Sequence, residues 1–535
     1  MLARNPAAKI ETYRPRRVSD FSAPQVAVLL VLFTLLASIP IITHPLPPIE
    51  DYVNHLARMH VLSVIGQDAN LARFYEIDWQ IVPNLMMDLV VPPLERLVNV
   101  YVAGQIFTIL TFVLILSGMM AVNRVLFGRW SALPLIACPM LYNYVFLVGV
   151  MNYMFGVGLA LWGFASWLAL RARSLPLRLG VSLAFVVALF FCHLYAVGIY
   201  GIGVLAAQTW RLWDKRDTPI GPRLADFFAA GLPFLAVVPL LLLSPTLGLW
   251  QYEWEPRGKT DGLIWVIQVY SDIVAFAIVA SMTGALIWAV RRRLFRFHPI
   301  GWPLLLVSAV IYLAMPRVLF EVNMADQRLP IAATFMIIAC MHVELRHRLV
   351  RRGFLALALA VLVLRVTEVD FAWAQLSPLT LEFRNSVKRI KPGSRILVAY
   401  ADPSGGDDVV DLGLVHAACL AMIERSALVA TAFTVPGKQI MHVLPAYMDQ
   451  VDVEDGQPPT VEQIVEAATS ENDVMGYWRS WQERFDYVYI LFTDDEARNP
   501  LPNLLKPVYD GGRFQLYRVV KLNGAESSAL IGGSP

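Results

Sequence analysis

The sequence predicts a polytopic α-helical membrane protein with about 11 transmembrane helices, followed by a soluble C-terminal α/β domain. Of the 535 residues, 57% are hydrophobic and 16% are charged, and the mean hydropathy is +0.54. This apolar share is well above that of soluble domains. Apolar runs of roughly the ~20 residues that a bilayer requires follow one another as far as residue 370. Beyond that point the composition becomes that of a soluble domain.

The N-terminal arm, residues 1–22, is polar and basic, and an apolar run follows it at residues 23–42. No small-residue cleavage site follows this run, and the next residues read THPLPP. We therefore expect a retained signal anchor rather than a cleaved signal peptide. The basic arm places the amino end in the cytoplasm.

The remaining spans are predicted from apolar runs and from the charges between them. The runs lie at 101–123, 131–149, 152–170, 177–193, 196–213, 225–244, 263–290, 302–319, 331–345 and 354–370. The close pair 177–213 could also be one broken segment, and the run at 331–345 is short. Lys and Arg concentrate in alternate connections, at 124–129, 171–178, 211–223, 291–296 and 346–352, whereas 144–152 and 193–196 carry none. The positive-inside rule then predicts an external C-terminus.

Four regions follow from these boundaries: the arm 1–22, a transmembrane domain 23–370, a periplasmic α/β domain 371–522 and a flexible tail 523–535. The first periplasmic loop, 43–100, is predicted to carry juxtamembrane helices. In the α/β domain, strand patterns lie at 395–400, 487–492 and 514–520, and helical patterns at 409–426 and 460–468.

The first external loop begins with an acidic pair. After Pro47 and Pro48, helical spacing of apolar residues predicts a short amphipathic helix that Gly66 could end. Glu50 and Asp51 fall in its first turn, where the helix dipole favours an ionised carboxylate and hence a general base. The alternative is that both acids only satisfy helix-start chemistry.

The predicted topology places an unusual set of polar residues on the external side. Ionisable groups near a bilayer are costly, so these residues are functional candidates. The first loop contributes Glu50, Asp51, His55, Arg58, His60, Glu76 and Asp78, the next two Asn143, Asn152, Tyr153, His193 and Tyr195, the fourth Glu253, Glu255, Arg257 and Lys259, and the fifth Glu321, Asp326 and Arg328.

Several of these residues also have purely structural interpretations. His193 could be a hydrogen-bonded histidine at a span end, and Arg328 could reach phospholipid headgroups. Trp250 and Trp254 fit an interfacial aromatic belt. A loose cluster of Asp407, Asp408, Asp411 and His416 could hold a metal, but it also fits a loop that leads into a helix.

Common catalytic motifs do not explain this chain. The sequence has no phosphate-binding GxxxxGK[ST], and GxGxxG, HExxH and GxSxG do not occur in a usable context. The four cysteines offer neither a disulfide framework nor a zinc spacing. Nucleic-acid binding is not expected. The remaining possibility is chemistry at the external membrane face.

The pattern resembles the GT-C superfamily of integral-membrane glycosyltransferases, which use polyprenyl-phosphate sugars and include protein mannosyltransferases and the aminoarabinose transferases of lipid A. The resemblance is carried by the acidic pair Glu50-Asp51 just beyond the first span, the long first external loop, the span number and the external C-terminal domain. It covers the whole chain as architecture, while the acidic pair is its only short motif. It implies a bacterial inner-membrane enzyme with a lipid-linked sugar donor and a lipid, glycan or protein acceptor.

The resemblance also implies roles for individual residues. The family's first-loop acid corresponds to Asp51, with Glu50 as the neighbour that could replace it, and the reaction would be inverting. The cations that would bind the leaving phosphate are Arg58, Arg257, Lys259 and Arg328, and His55 would orient the carboxylate or contact phosphate. Further substrate contacts are expected from His193, Tyr195, Glu253 and Asp326. Glu76, Asp78 and Glu255 also compete with Glu253 and Asp326 as a second acid. No cofactor is certain, and a divalent metal, Mg²⁺ or Mn²⁺, is left open.

Two other functions compete with this one. A transporter or flippase of a lipid-linked substrate would need charges near span centres and paired broken helices, whereas the acids here cluster at the rim. A non-catalytic envelope-assembly subunit would depend on the C-terminal domain and tolerate substitutions at Glu50 and Asp51.

Overall fold

A computed structural model describes residues 20–214, 216–249, 251–256, 258–320, 322–452, 457–470, 476–494 and 498–521. Most of the predicted N-terminal arm and all of the predicted tail therefore lie outside the described residues. The helices are α1 (Ala23–Ala37), α2 (Ile39–Thr43), α3 (Tyr52–Val64), α4 (Ala69–Phe74), α5 (Met86–Glu95), α6 (Val100–Phe127), α7 (Tyr144–Val148), α8 (Met151–Ala169), α9 (Leu175–Cys192), α10 (Leu194–Asp214), α11 (Ile220–Ala229), α12 (Val237–Leu242), α13 (Gly258–Ile264), α14 (Asp272–Arg291), α15 (Gly301–Ala314), α16 (Leu329–Ala339), α17 (Arg348–Val387), α18 (Leu412–Val415), α19 (Leu420–Arg425), α20 (Val461–Thr469) and α21 (Trp481–Arg484).

The strands form one larger sheet and three short pairs. They are β1 (Tyr75–Ile77), β2 (Tyr252–Glu253), β3 (Phe295–Phe297), β4 (Val318–Leu319), β5 (Met341–Val343), β6 (Arg395–Tyr400), β7 (Leu428–Val429), β8 (Met441–Val443), β9 (Tyr487–Leu491), β10 (Leu505–Asp510) and β11 (Phe514–Val519). The five-stranded sheet has the order β10-β11-β9-β6-β7. In it β6 is parallel to β7 and β9, and β11 is antiparallel to β9 and β10.

Five helical segments of the described residues are long and apolar enough to cross a bilayer: Val100–Phe127, Met151–Ala172, Leu175–Cys192, Ile220–Leu242 and Asp272–Arg291. Ala23–Ala37, Gly301–Ala314 and Leu329–Ala339 are shorter apolar helices. The pair of runs at 177–213 forms two helices, α9 and α10, because His193 between them is extended at φ −174° and ψ 136°. The chain is therefore a multi-pass helical membrane protein.

The predicted spans at 302–319 and 331–345 are shorter helices that are followed by β4 and β5. The structure differs more at two other predicted spans. Residues 131–149 form a buried 3₁₀ helix, Leu133–Leu141, and the five-residue α7 instead of one membrane-spanning helix. Pro134 and Pro139 lie in this segment, and proline lacks the N–H that a continuous α-helix requires. The run at 354–370 belongs to the 40-residue α17, which continues well past the predicted domain boundary at residue 370.

Glycines allow the central helices α6 and α8 to pack closely. A methyl group at Gly158 would lie 2.7 Å from Cβ of Leu114, and one at Gly118 would lie 2.8 Å from Cβ of Leu161. Small residues at such crossings let two backbones approach. At its ends α6 begins with an Asn99 side chain that accepts from the Val102 amide and finishes at Gly128, whose φ is +69°.

The C-terminal sheet is joined to the connection between α2 and α6. Strand β1 of that connection pairs with β8, with Tyr75 opposite Val443. Phe74 and Tyr75 share one buried apolar cluster with residues of the sheet such as Leu428 and Tyr489. Val53, near the start of α3, belongs to the same cluster, so this packing fixes α3 against the C-terminal domain.

Candidate active site

A cavity of about 800 Å³ lies where several connections between helices meet the C-terminal domain. Its wall includes residues from all five connections that the sequence analysis grouped together. The residues predicted as site candidates that line it are Glu50, Asp51, His55, His193, Tyr195 and Arg328. The C-terminal domain contributes further wall residues, among them Asp407, Phe433 and Lys438.

Asp51 is held at the cavity wall by backbone contacts. The amides of Glu50 and Asp51 donate to the carbonyls of Leu147 and Val148 at 3.0 and 3.1 Å. The chain can approach this closely because Gly149 has φ +92° and no side chain: a Cβ there would lie 2.8 Å from Cβ of Asp51. The connection after the 3₁₀ helix therefore fixes the acidic pair.

The Asp51 carboxylate is not used to cap its helix. Asp51 is the N-cap residue of α3, yet its side chain makes no capping hydrogen bond to the described residues. The side chain is 23% exposed and faces the cavity, where Oδ1 lies 3.4 Å from Nε2 of His416. The interpretation that this acid only satisfies helix-start chemistry is therefore not supported.

Glu50 is more easily protonated than its position near a helix start suggests. It precedes α3 and lies beside two other carboxylates. Burial first, then repulsion from Asp51 and Asp407, raises the pKa of Glu50 well above its ordinary value. The helix dipole does not dominate here, and Glu50 holds a proton more tightly than an exposed acid.

His55, one turn after Asp51, is a buried neutral imidazole. Burial, followed by repulsion from Arg58, lowers its pKa to about 3. Its ring lies 5.6 Å from the ring of Phe433, in the C-terminal domain. His55 therefore lines the site without carrying charge at neutral pH.

Arg328 is the buried cation of the cavity wall. It stands at the N-terminus of α16 and is 7% exposed. Nη1 donates to Nε2 of His193 at 3.1 Å, and Nη2 donates to the Asn323 carbonyl at 2.9 Å. The guanidinium also lies 5.7 Å from the ring centre of Tyr195. His193, Tyr195 and Arg328 thus form one cluster, although they come from two different predicted external connections of the chain.

Other predicted site residues lie elsewhere. Arg58 makes a two-point ion pair with Asp88 of α5, at 2.9 and 3.0 Å, and both side chains are buried. Lys259 pairs with the buried Asp326 at 2.7 Å. These three predicted contacts are absent from the cavity wall as the described residues form it, because each side chain is engaged in a buried pair.

Two more predicted residues give no support to the site. Glu253 lies in β2, paired with Val318 of β4, and is exposed. Arg257 lies outside the described residues. In place of these residues the structure brings Arg317 to the cavity wall, where Nε donates to Oδ1 of Asn323 at 3.4 Å. Arg317 was missed because it lies within the predicted span 302–319, close to its end.

The C-terminal domain supplies residues that sequence spacing could not connect with Asp51. His416 contacts Asp51, and Asp407 lies close enough to Glu50 to raise its pKa. From the sequence alone, both residues fitted a possible metal cluster. Asp411 of that cluster instead pairs with Arg513.

The described residues do not form a metal site. No group of three or more His, Cys, Asp or Glu side chains within the described ranges is arranged to hold a metal ion.

Comparison of the sequence with protein-family models and with curated proteins gives no match. Two solved structures of ArnT from Cupriavidus metallidurans are similar along the whole chain. The one bound to undecaprenyl phosphate has a TM-score of 0.54 and 12% identity, and covers 96% of this chain and 100% of that chain. The apo state has a TM-score of 0.53 and 14% identity, with the same coverage. The similarity shows that the chain has the fold of these ArnT structures.

Proposed function

We propose that the chain is a membrane glycosyltransferase that moves a sugar from a polyprenyl-phosphate donor to a lipid, glycan or protein acceptor. Two features support the proposal: the ArnT-like fold, and a cavity whose wall holds a carboxylate and a buried arginine. The solved ArnT structure with this fold is bound to undecaprenyl phosphate, which favours a lipid phosphate as the ligand of the present cavity.

The observation that carries the proposal is the uncapped Asp51 carboxylate at the cavity wall. Among the described residues this carboxylate contacts His416. It makes no hydrogen bond to the backbone amides at the start of α3. A carboxylate at a helix start that does not cap the helix is available for proton transfer. We therefore assign Asp51 as the general base.

In the proposed reaction Asp51 accepts the proton of the acceptor hydroxyl. The acceptor oxygen attacks the anomeric carbon from the face opposite the phosphate, and a new C–O bond forms with inversion. The bond between the anomeric carbon and the phosphate oxygen breaks, and its electron pair leaves with the polyprenyl phosphate. The increased charge on that phosphate needs a cation, which Arg328 would supply as a planar donor of two hydrogen bonds.

Glu50 is proposed to assist in its protonated form. Since its pKa is raised by burial and by Asp51 and Asp407, it would donate a hydrogen bond to a sugar hydroxyl rather than compete as a base. One proton shared within a group of close carboxylates also reduces the repulsion of a phosphate ligand.

Asp51→Asn tests the assignment of the base, measured as transfer from a labelled polyprenyl-phosphate sugar to membrane acceptors by the purified protein. We expect the rate to fall by about 10²- to 10⁴-fold. Glu76→Gln is the control, because Glu76 belongs to the same connection but lies in β1, where it faces His442 of β8. Full transfer by Asp51→Asn would show that Asp51 is not the general base, and the proposed reaction would then be wrong.

We also propose that the cavity opens on the periplasmic side of a bacterial inner membrane, with a cytoplasmic amino end. The four native cysteines are buried, so single introduced cysteines can be labelled selectively. Asp402→Cys, at an exposed position of the C-terminal domain, should react with an impermeant maleimide added outside spheroplasts. Arg348→Cys, exposed at the start of α17, should react only after permeabilisation. The reverse pattern would contradict the topology.

A further inference from the structure

The side chain of Asn54, in the first turn of α3, has a fully determined orientation. Its Oδ1 accepts from the Phe433 amide at 3.0 Å, and a backbone amide can only donate. Its Nδ2 lies 3.1 Å from the Thr431 carbonyl, which can only accept. These two contacts from the C-terminal domain fix which end of the amide is nitrogen.

This orientation determines the tautomer of His416. Nδ2 of Asn54 also lies 3.2 Å from Nδ1 of His416. Because Nδ2 carries only hydrogens at this contact, Nδ1 of His416 must accept. The neutral imidazole then carries its hydrogen on Nε2, and Nε2 is the atom that lies 3.4 Å from Oδ1 of Asp51.

The ring of His416 is also held from the side. It packs edge-on against Phe433, with ring centres 4.8 Å apart and planes at 68°. His416 is 7% exposed, so the ring has little space to rotate. Asp51 and His55 are titratable groups close to this ring, and the low pKa of His55 keeps that neighbour neutral.

We propose that His416 is a positioning residue for Asp51: its Nε2–H, fixed by Asn54, holds one carboxylate oxygen so that the other faces the acceptor hydroxyl. This inference rests on the proposed function and deepens it. The separation of 3.4 Å is long for a hydrogen bond, and such contacts shorten when substrate completes a site. A neutral donor also orients the base without pairing it with a full positive charge, which would weaken it.

The proposal links the C-terminal domain directly to the reaction. Thr431, Phe433 and His416 all belong to that domain, whereas Asn54 and Asp51 belong to the first connection. Separation of the two parts would release the imidazole from Asp51. The base is therefore correctly oriented only when the C-terminal domain is docked.

Two substitutions that differ by one methylene group test the inference. In His416→Gln the amide nitrogen can reach the place of Nε2 and donate to Asp51. In His416→Asn the shorter side chain reaches only the place of Nδ1, where its amide oxygen can still accept from Nδ2 of Asn54. We expect His416→Asn to lower kcat on the order of 10- to 100-fold with little change in KM for the donor. His416→Gln should keep kcat within about threefold of the native value. His442→Gln in β8 is the control, because this histidine of the same domain contacts the Gln439 carbonyl.

A second measurement does not depend on activity. Nitrogen-15 spectra of the native protein with labelled histidine, with the His416 signal identified by its loss in His416→Gln, should show a neutral ring protonated at Nε2. A ring protonated at Nδ1, or equal rates for His416→Asn and the native protein, would overturn the proposal. If Asp51→Asn kept full transfer, the proposed function itself would fail, which is a separate outcome.

Discussion

Arg58 and Arg328 are both almost completely buried, at 1% and 7% exposure, and their surroundings differ. Arg58 meets the carboxylate of Asp88 at two points. The polar partners of Arg328 within the described residues are the neutral His193 ring and a backbone carbonyl. A buried charge that is already paired stabilises or specifies structure. Arg328 has no carboxylate at ion-pair distance among the described residues, and Asp51 acts on it only from across the cavity. It therefore keeps its attraction for an anionic ligand.

The same contrast separates the acids. Asp88 and Asp326 face cations at ion-pair distance, whereas Glu50, Asp51 and Asp407 crowd one another at the cavity. Repulsion between like charges is costly for the folded protein. Such an arrangement is typical of a site whose ligand or proton relieves the repulsion.

We expect the largest effect, a loss of stability, when the buried ion pair between Arg58 and Asp88 is broken. Asp88→Leu leaves the Arg58 charge buried and unpaired, so we expect a loss of about 3–5 kcal/mol in the free energy of unfolding. The double variant Arg58→Met with Asp88→Leu should recover most of it, because both charges are gone. Unfolding of the purified protein in detergent measures both. An unchanged stability of Asp88→Leu would show that the pair is not structural.

At the cavity the expected change is in activity. Arg328→Gln should lower transfer by about 10²-fold, since a donor that stabilises developing charge is worth about 2.7–4 kcal/mol. Its unfolding should be nearly unchanged, because no buried counter-charge is left alone. Arg328→Lys should recover part of the rate but not the two-point contact.

The exposed Arg348→Gln, at the start of α17, controls for net charge in this experiment. Binding of undecaprenyl phosphate should weaken in Arg328→Gln and not in Arg348→Gln. Equal binding by both variants would mean that Arg328 does not contact the phosphate.

A smaller effect is expected from the backbone that holds the acidic pair. Gly149→Ala adds a methyl group 2.8 Å from Cβ of Asp51 at a φ of +92°. We expect a loss of about 1–3 kcal/mol in stability and a lower transfer rate, because Asp51 must shift. Gly66→Ala is the matched control: a Cβ there meets no atom within 4 Å. Similar behaviour of the two variants would show that the close approach at Gly149 is unimportant.

Much of the fold could be predicted from the sequence because apolar length and charge placement are local properties. The spans at 101–123 and 152–170 correspond to α6 and α8 for this reason. The run at 131–149 was mispredicted because hydropathy does not register that Pro134 and Pro139 break the helix.

The candidate site was less accessible from the sequence. The acidic pair and Arg328 were identified by their place near the membrane, and whether they act as proposed is still a prediction. Arg58 and Lys259 looked equally suitable, since the sequence does not show that Asp88 and Asp326 pair with them. His416 lies more than 350 residues from Asp51 in sequence, and only the docking of the C-terminal domain brings them together.

Glu50→Gln is expected to have the smallest effect on transfer, and its pH dependence is the sharpest test of the crowded acids. The pKa of Glu50 in the folded protein is raised above the ordinary 4.5. At a pH between the unfolded-state and folded-state pKa of this group, the folded state therefore binds more protons than the unfolded state. Its contribution to stability is present below pH 4.5 and is lost as the pH rises through the folded-state pKa. Glutamine mimics the protonated acid at every pH, so the variant should become progressively more stable than the native protein as the pH rises. Transfer near neutral pH should change by no more than about threefold, because the amide preserves a hydrogen-bond donor. A constant stability difference across this range would mean that Glu50 is already ionised, and that the cavity accepts two adjacent negative charges without penalty.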